Sequence, residues 1–255
     1  LLLVDLGHGR QRLGGSALAQ VFREVGTEAP DVEEPEVLRA FFSAMNIMKQ
    51  MHAGMPHSAP LVHAYHDRSD GGLLATVLEM SFAGRLGLDM DITGILHDTP
   101  MAALFNEELG AVLQVRVKDV SAVTSVLTSM GVPSNIIHTV ASVRGDEQIN
   151  IKCRGETLLS STRAALQKAW ADTSFRMQSL RDNPECAKQE LAFIDEPAET
   201  ASLKYELTFH PAETLQWSNP ASIERPLASQ PRVAILREQG VNGHIEMAWA
   251  FASAG

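Results

Sequence analysis

The chain has 255 residues, 45% of them hydrophobic and 20% charged, with a mean hydropathy of -0.04. That balance excludes wholesale disorder and collagen-like repeats, and no apolar run approaches the roughly 20 residues that span a bilayer. A formal net charge of -10 removes the basic face that a general nucleic-acid binder needs. Cys153 and Cys186 are far apart and have no ligand cluster beside them, which points away from disulfides and zinc and toward a reducing, cytoplasmic setting.

The elements follow in chain order. Leu1 to Leu6 is an apolar strand that runs into a Gly7-His8-Gly9-Arg10 turn. Residues 14–25 predict a helix with Ser16 near its N-cap and an apolar stripe of Leu18, Val21, Phe22 and Val25. After an acidic, Pro-containing loop, residues 37–51 give a long helix with Leu38, Phe41, Phe42, Met45 and Met48 on one side, read as core packing. Residues 61–65 read as a strand, 71–82 as a helix, 89–95 as a strand, 101–105 as a short helix and 113–117 as an alternating strand. A helix over 120–130 is closed by Gly131 and Pro133, and strands follow at 136–143 and 148–153. The irregular alternation predicts an α+β domain: a mixed sheet with helices packed on it.

Past Leu158 the character changes. Residues 160–181 predict one long helix, ended by Asn183-Pro184. Residues 186–231 carry many prolines and polar residues and one strand signal at 203–209, so they are expected to tether two domains. Arg232 to Leu236 reads as a short apolar strand and Ile245 to Ala254 as a helix. A lone βα unit cannot bury its own faces, and an apolar strand opens the chain, so both ends are expected to lie inside domains of a larger protein.

Chemistry concentrates in His66-Asp67-Arg68-Ser69-Asp70-Gly71-Gly72-Leu73, between an apolar strand and an apolar helix. The glycine pair lets backbone approach a ligand, the amides at the helix start suit a phosphate, and Asp67 and Asp70 offer hard oxygens to magnesium. The alternative is a plain helix cap with a turn residue before it. The segment matches neither the P-loop nor the dinucleotide fingerprint. A second candidate, Glu107-Glu108, could serve a metal or an ammonium group; a solvated acid pair is the commoner outcome for such residues. The histidines lack metal-ligand spacing, and no Ser-His-Asp or Cys-His grouping emerges.

Five blocks, in order, carry a resemblance: Leu13 to Gln20, His66 to Leu73, Leu104 to Gly110, Arg176 to Pro184 and Val233 to His244. Together they resemble the large single-chain phosphoribosylformylglycinamidine synthases over nearly the whole chain, least between 197 and 231. The resemblance implies part of an ATP-dependent, glutamine-coupled ligase of purine biosynthesis. Its substrates are formylglycinamide ribonucleotide, ATP and glutamine, and its products formylglycinamidine ribonucleotide, ADP, phosphate and glutamate. The implied domains are 1–30, the end of the second ATP-binding subdomain; 31–160, an α+β subdomain like the C-terminal part of AIR synthetase; 161–230, a linker helix and tether; and 231–255, the start of a class I glutaminase. By the same resemblance Asp67 binds magnesium and Ser69 binds ATP or ADP; a place in the second repeat leans toward the auxiliary ADP site, with the catalytic site as the alternative.

The glutaminase nucleophile and its partners would lie outside residues 1–255, as would the main nucleotide shell, so the chain by itself is expected to be inactive. Its partners would be the missing ATP-binding and glutaminase domains, with no nucleic acid and no membrane. AIR synthetase, selenophosphate synthetase and thiamine-phosphate kinase are rivals of the same superfamily, disfavoured by the stretch after Pro231. A rival of another class is a non-catalytic scaffold that holds a structural Mg-ADP.

Overall fold

A computed structural model describes residues 1–53, 59–197, 206–208 and 232–254. Compactness divides the chain into two units, Leu1–Ala201 and Ser202–Gly255. In the first unit the elements run β1 (Leu2–Asp5), α1 (Ala17–Val21), α2 (Pro35–Ala53), β2 (Ala64–Asp67), α3 (Gly72–Gly84), β3 (Gly87–Asp91), α4 (Pro100–Phe105), β4 (Gly110–Gln114), α5 (Val120–Ser129), β5 (Ile137–Thr139), β6 (Ala141–Arg144), β7 (Gln148–Cys153), β8 (Glu156–Thr162), α6 (Arg163–Arg181) and α7 (Pro184–Ala192). Short 3-10 turns join several of them.

Two four-stranded sheets form. The first has the order β2-β4-β1-β5 and is antiparallel throughout; the second has the order β6-β3-β7-β8, with only β3 and β7 parallel. Both faces of the first sheet are covered. Leu2, Val4, Ala111 and Leu113 meet Phe41, Ala44 and Met48 of α2 and Val123 and Leu127 of α5. Leu3 and Val112 point the other way, into a core shared with Leu73 and Val77 of α3, Leu88 and Met90 of β3, and Ile149 and Ile151 of β7. Burial on both faces explains the unbroken apolar run Leu1-Leu2-Leu3-Val4 and why Ala111, Val112 and Leu113 are all buried. The second sheet is apolar on one face only, so its strands alternate: in β7, Ile149, Ile151 and Cys153 are buried while Gln148 and Lys152 are exposed.

The mixed-sheet α+β architecture expected from the sequence is present, with two sheets in place of one. The apolar run at 136–143 is two strands on different sheets, divided at Val140. Its N–H donates to the Leu1 carbonyl at 3.0 Å, and its carbonyl accepts the Asp91 N–H at 3.0 Å. The stretch read as helix from residue 160 begins with β8, which runs to Thr162; the Thr162 hydroxyl then caps α6 by accepting the Ala165 N–H. A further helix, α7, opens after the Asn183 cap. The helix expected over 14–25 shrinks to α1, because Val21, Phe22 and Val25 find no core and are exposed.

β1 lies inside the first sheet, between β4 and β5, so residues 1–30 belong to the same compact unit as 31–160, and α6 and α7 belong to it as well. In the second unit, residues 232–238 form no strand, and α8 (His244–Ala254) carries exposed Ile245, Met247, Trp249 and Phe251. Of the strand expected at 203–209, residues 206–208 are not extended into a ladder and the others lie outside the described residues. No described helix is long and apolar enough to cross a membrane.

Candidate functional site

The segment from Asp67 to Gly72 leaves the first sheet at its β2 edge and turns at once into α3. Asp67 is the last paired residue of β2, opposite Ala111, and the Arg68 N–H extends the ladder by donating to the Gly110 carbonyl at 2.8 Å. The Ser69 carbonyl accepts the Gly72 N–H at 2.8 Å, closing a tight turn. Gly71 and Gly72 have φ of +82° and +66°, values that favour glycine. A Cβ on Gly72 would stand 2.6 Å from the Asn106 carbonyl oxygen. The close approach that this glycine permits is therefore to the 104–106 segment of the protein itself.

Asp67, Ser69 and Asp70 are exposed. The Asp67 backbone carbonyl accepts the Thr76 hydroxyl at 3.1 Å, which ties the strand end to the first turn of α3. Its Oδ1 accepts the Tyr65 hydroxyl. Burial and that bond to Asp67 together hold the Tyr65 phenol above its ordinary range, so it stays a donor. Among the described residues, Asp67 Oδ2 makes no hydrogen bond.

Arg68 takes the opposite direction, inward. Its Nε donates to the Glu108 carbonyl at 2.6 Å, and one Nη donates to Asp5 Oδ1 at 2.6 Å and to the Leu109 carbonyl at 2.8 Å. Arg68 and Asp5 are each 6% exposed. Asp5 in turn accepts the Gly7 and Gly9 N–H groups, at 3.3 and 2.7 Å, and so shapes the turn expected after β1. Neither residue stands out by local spacing. The signal available was a lone acid ending an apolar strand and a lone base inside an acidic loop.

Glu107 and Glu108 are not a solvated pair. Glu108 is fully buried and grips Arg12 bidentately, Nε to Oε1 at 2.7 Å and Nη2 to Oε2 at 2.8 Å. The hydrogen bonds to Glu108 hold the Arg12 guanidinium proton more tightly than usual. Glu107 is half-buried, and its Oε1 accepts the Gly71 N–H at 2.8 Å. The structure thus brings Glu107 to the loop and sends Glu108 away from it. The Gly71 amide, expected to be open to a phosphate, is held by this carboxylate.

The loop therefore presents one open carboxylate oxygen, a hydroxyl and a second exposed carboxylate on a backbone fixed from beneath. That set fits magnesium held by one or two carboxylates and completed by phosphate oxygens and water. It does not make a closed protein cage: no group of three or more ligating side chains occurs among the described residues.

Residues 2–149 match the family described as AIR synthase related protein, C-terminal domain. The whole chain is 41% identical, over 257 aligned residues, to phosphoribosylformylglycinamidine synthase of Schizosaccharomyces pombe, and it spans 18% of that protein's length. Among solved structures, Thermotoga maritima PurL complexed with ATP is similar over 65% of this chain and 24% of its own, at 16% identity and a TM-score of 0.46. The hydrogenase maturation protein HypE is similar over 63% of this chain and 51% of its own, at 16% identity and a TM-score of 0.38.

Proposed function

The chain belongs, over residues 2–149, to the family of AIR synthase related protein C-terminal domains, and from that premise we propose that it is the corresponding part of a phosphoribosylformylglycinamidine synthase. The full protein would be an ATP-dependent ligase of purine biosynthesis in the cytoplasm, joining nitrogen from glutamine to formylglycinamide ribonucleotide. The observation that carries this reading is the 41% identity to such an enzyme along the entire chain. The exposed apolar side chains of α8 support it too, since a helix apolar on every side belongs against a partner face. That face would be the glutaminase domain, as an ATP-binding domain would complete the nucleotide site.

In this reading Asp67 holds magnesium and Ser69 binds ATP or ADP. The metal, when bound, would neutralise charge on the phosphates. The chain's own part is positional. Arg68, anchored to Asp5 and to the 108–109 carbonyls, fixes the backbone between the two ligand residues; Thr76 fixes the Asp67 carbonyl; Tyr65 orients the Asp67 carboxylate. The assignment to the auxiliary ADP site rests on the resemblance, which puts this loop in the second repeat. The chain alone would be inactive.

Calorimetry with Mg-ADP on the chain, beside Asp67→Ala and Ser69→Ala, tests the site. Binding that needs magnesium and Asp67 supports the reading. Binding of equal strength by wild type and both variants refutes the assignment of these residues. Turnover by intact protein separates the roles: an Asp67→Ala protein that keeps turnover but loses bound ADP is a scaffold for a structural nucleotide.

A further inference from the structure

One carboxylate oxygen of Glu107 serves two distant helices. Besides the Gly71 N–H, Oε1 accepts the Ala17 N–H, also at 2.8 Å. Gly71 is the N-cap of α3, and Ala17 is the first residue of α1. Amides at a helix start lack intrahelical acceptors, and a carboxylate beside them is favoured by both charge and hydrogen bonding. Neither helix supplies that carboxylate itself. Gly71 has no side chain to cap with, and the Ser16 hydroxyl is spent on the Ala19 N–H.

Backbone bonds tie the chain before α1 to the chain after it, from the Gly14 N–H to the Glu28 carbonyl and from the Gly15 N–H to the Val25 carbonyl, both 2.7 Å, but the side chains of α1 pack lightly. None of its five residues is buried, and Val21 is 77% exposed. The Glu107 backbone, by contrast, cannot shift freely: Asn106 before it is buried against α4, and Glu108 after it is locked to Arg12. The 106–108 segment is the common support: Arg68 anchors the loop that carries Ser69 to it, Arg12 anchors the chain before α1, and the one Glu107 oxygen joins the two helix starts directly.

We propose that Glu107 is a positioning residue that couples α1 to the Asp67–Gly72 loop, so that the two helix starts are held or released together. Its importance for a nucleotide rests on the reading of that loop as the Asp67–Ser69 site. A ligand that draws Gly71 away from Glu107 alters the cap of α1, and order at α1 in turn sets the position of Ser69.

The test uses the 255-residue chain and two readouts, amide exchange by NMR at Ala17 and Gly71 and calorimetry with Mg-ADP. In Glu107→Ala, exchange rises about tenfold or more at both amides while β7 and β8 are unchanged, and Mg-ADP binds about tenfold more weakly, within the range of ordinary coupling between sites. Glu107→Gln keeps an acceptor oxygen and stays within about threefold of wild type in both readouts. If Glu107→Ala fails to fold, Glu107→Asp, whose carboxylate stops one methylene short, gives the same paired readout. A rise at only one amide, or wild-type affinity for Mg-ADP in a folded Glu107→Ala protein, overturns the proposal. Failure of the wild-type chain to bind Mg-ADP instead means that the loop needs the ATP-binding domain that completes the site, and the paired exchange then decides by itself whether Glu107 couples the two helices.

Discussion

Arg68 and Asp5 form an ion pair of 2.6 Å between side chains that are 3% and 9% exposed, which joins the loop after β2 to the end of β1. A pair so far from water is weak evidence for net stabilisation, but breaking it strands a charge in the interior. Arg68→Met is expected to lower unfolding stability by about 3–5 kcal/mol, read from denaturant midpoints. Adding Asp5→Asn to Arg68→Met is expected to recover part of that loss. A single variant within about 0.5 kcal/mol of wild type, the range of ordinary surface changes, would show that the pair is not closed in solution.

Gly72 and Gly94 make a contrast in backbone tolerance. A methyl group on Gly72 meets the Phe105 carbonyl carbon and the Asn106 oxygen, both at 2.6 Å, at a φ of +66°. Gly94 has open space around its missing Cβ. Gly72→Ala is expected to cost about 2 kcal/mol or more, and Gly94→Ala to be neutral or to add up to about 1 kcal/mol. Thermal unfolding of the two variants side by side checks both signs.

His138 gives the domain a pH dependence near neutrality. Burial lowers its pKa below the ordinary 6.5, opposed by the Asp5 charge and assisted by His97 and Arg68. The unfolded chain therefore binds a proton at a pH where the folded chain does not. Stability is full above about 6.5 and declines as the pH falls through that value toward the folded pKa, by at most about 1.4 kcal/mol per pH unit from this group. His138→Gln is expected to flatten the decline between pH 7 and pH 5 in urea melts; an unchanged slope would assign it to other groups.

Asp67 and Ser69 are exposed, so replacing them is expected to separate binding from stability. Asp67→Ala and Ser69→Ala should each change the melting free energy by less than about 0.5 kcal/mol. Asp67→Ala should weaken Mg-ADP at least about tenfold, the scale set by losing one charge-assisted contact. A large loss of stability in either variant would mean that the residue is structural.

The sequence disclosed the elements whose periodicity is set locally. α2, α3, α5 and the Ser16 cap follow from apolar spacing and cap chemistry within a few residues. It marked Asp67, Ser69 and Asp70 as candidates because they stand together in a polar loop with two glycines, and the structure leaves all three exposed. What it hid depends on partners far along the chain. Leu113 to Val117 alternates, yet the strand lies at Gly110–Gln114, because β1 on one side and β2 on the other fix its register. Glu107 and Glu108 look alike in sequence, yet one holds two backbone amides and the other is buried against Arg12. Only the return of the chain from residues 12–17 distinguishes them.

At Val140 two neighbouring peptide groups lock into different sheets, one reaching back to Leu1 and the other across to Asp91. The Leu1 backbone nitrogen adds a third stitch by donating to the Ala141 carbonyl at 2.6 Å. Neither sheet can open without tearing the seam that belongs to the other. The two are thus expected to behave as one cooperative block: subglobal opening that exposes β1 should expose β3 at the same free energy, and slow amide exchange in both should converge on a single value.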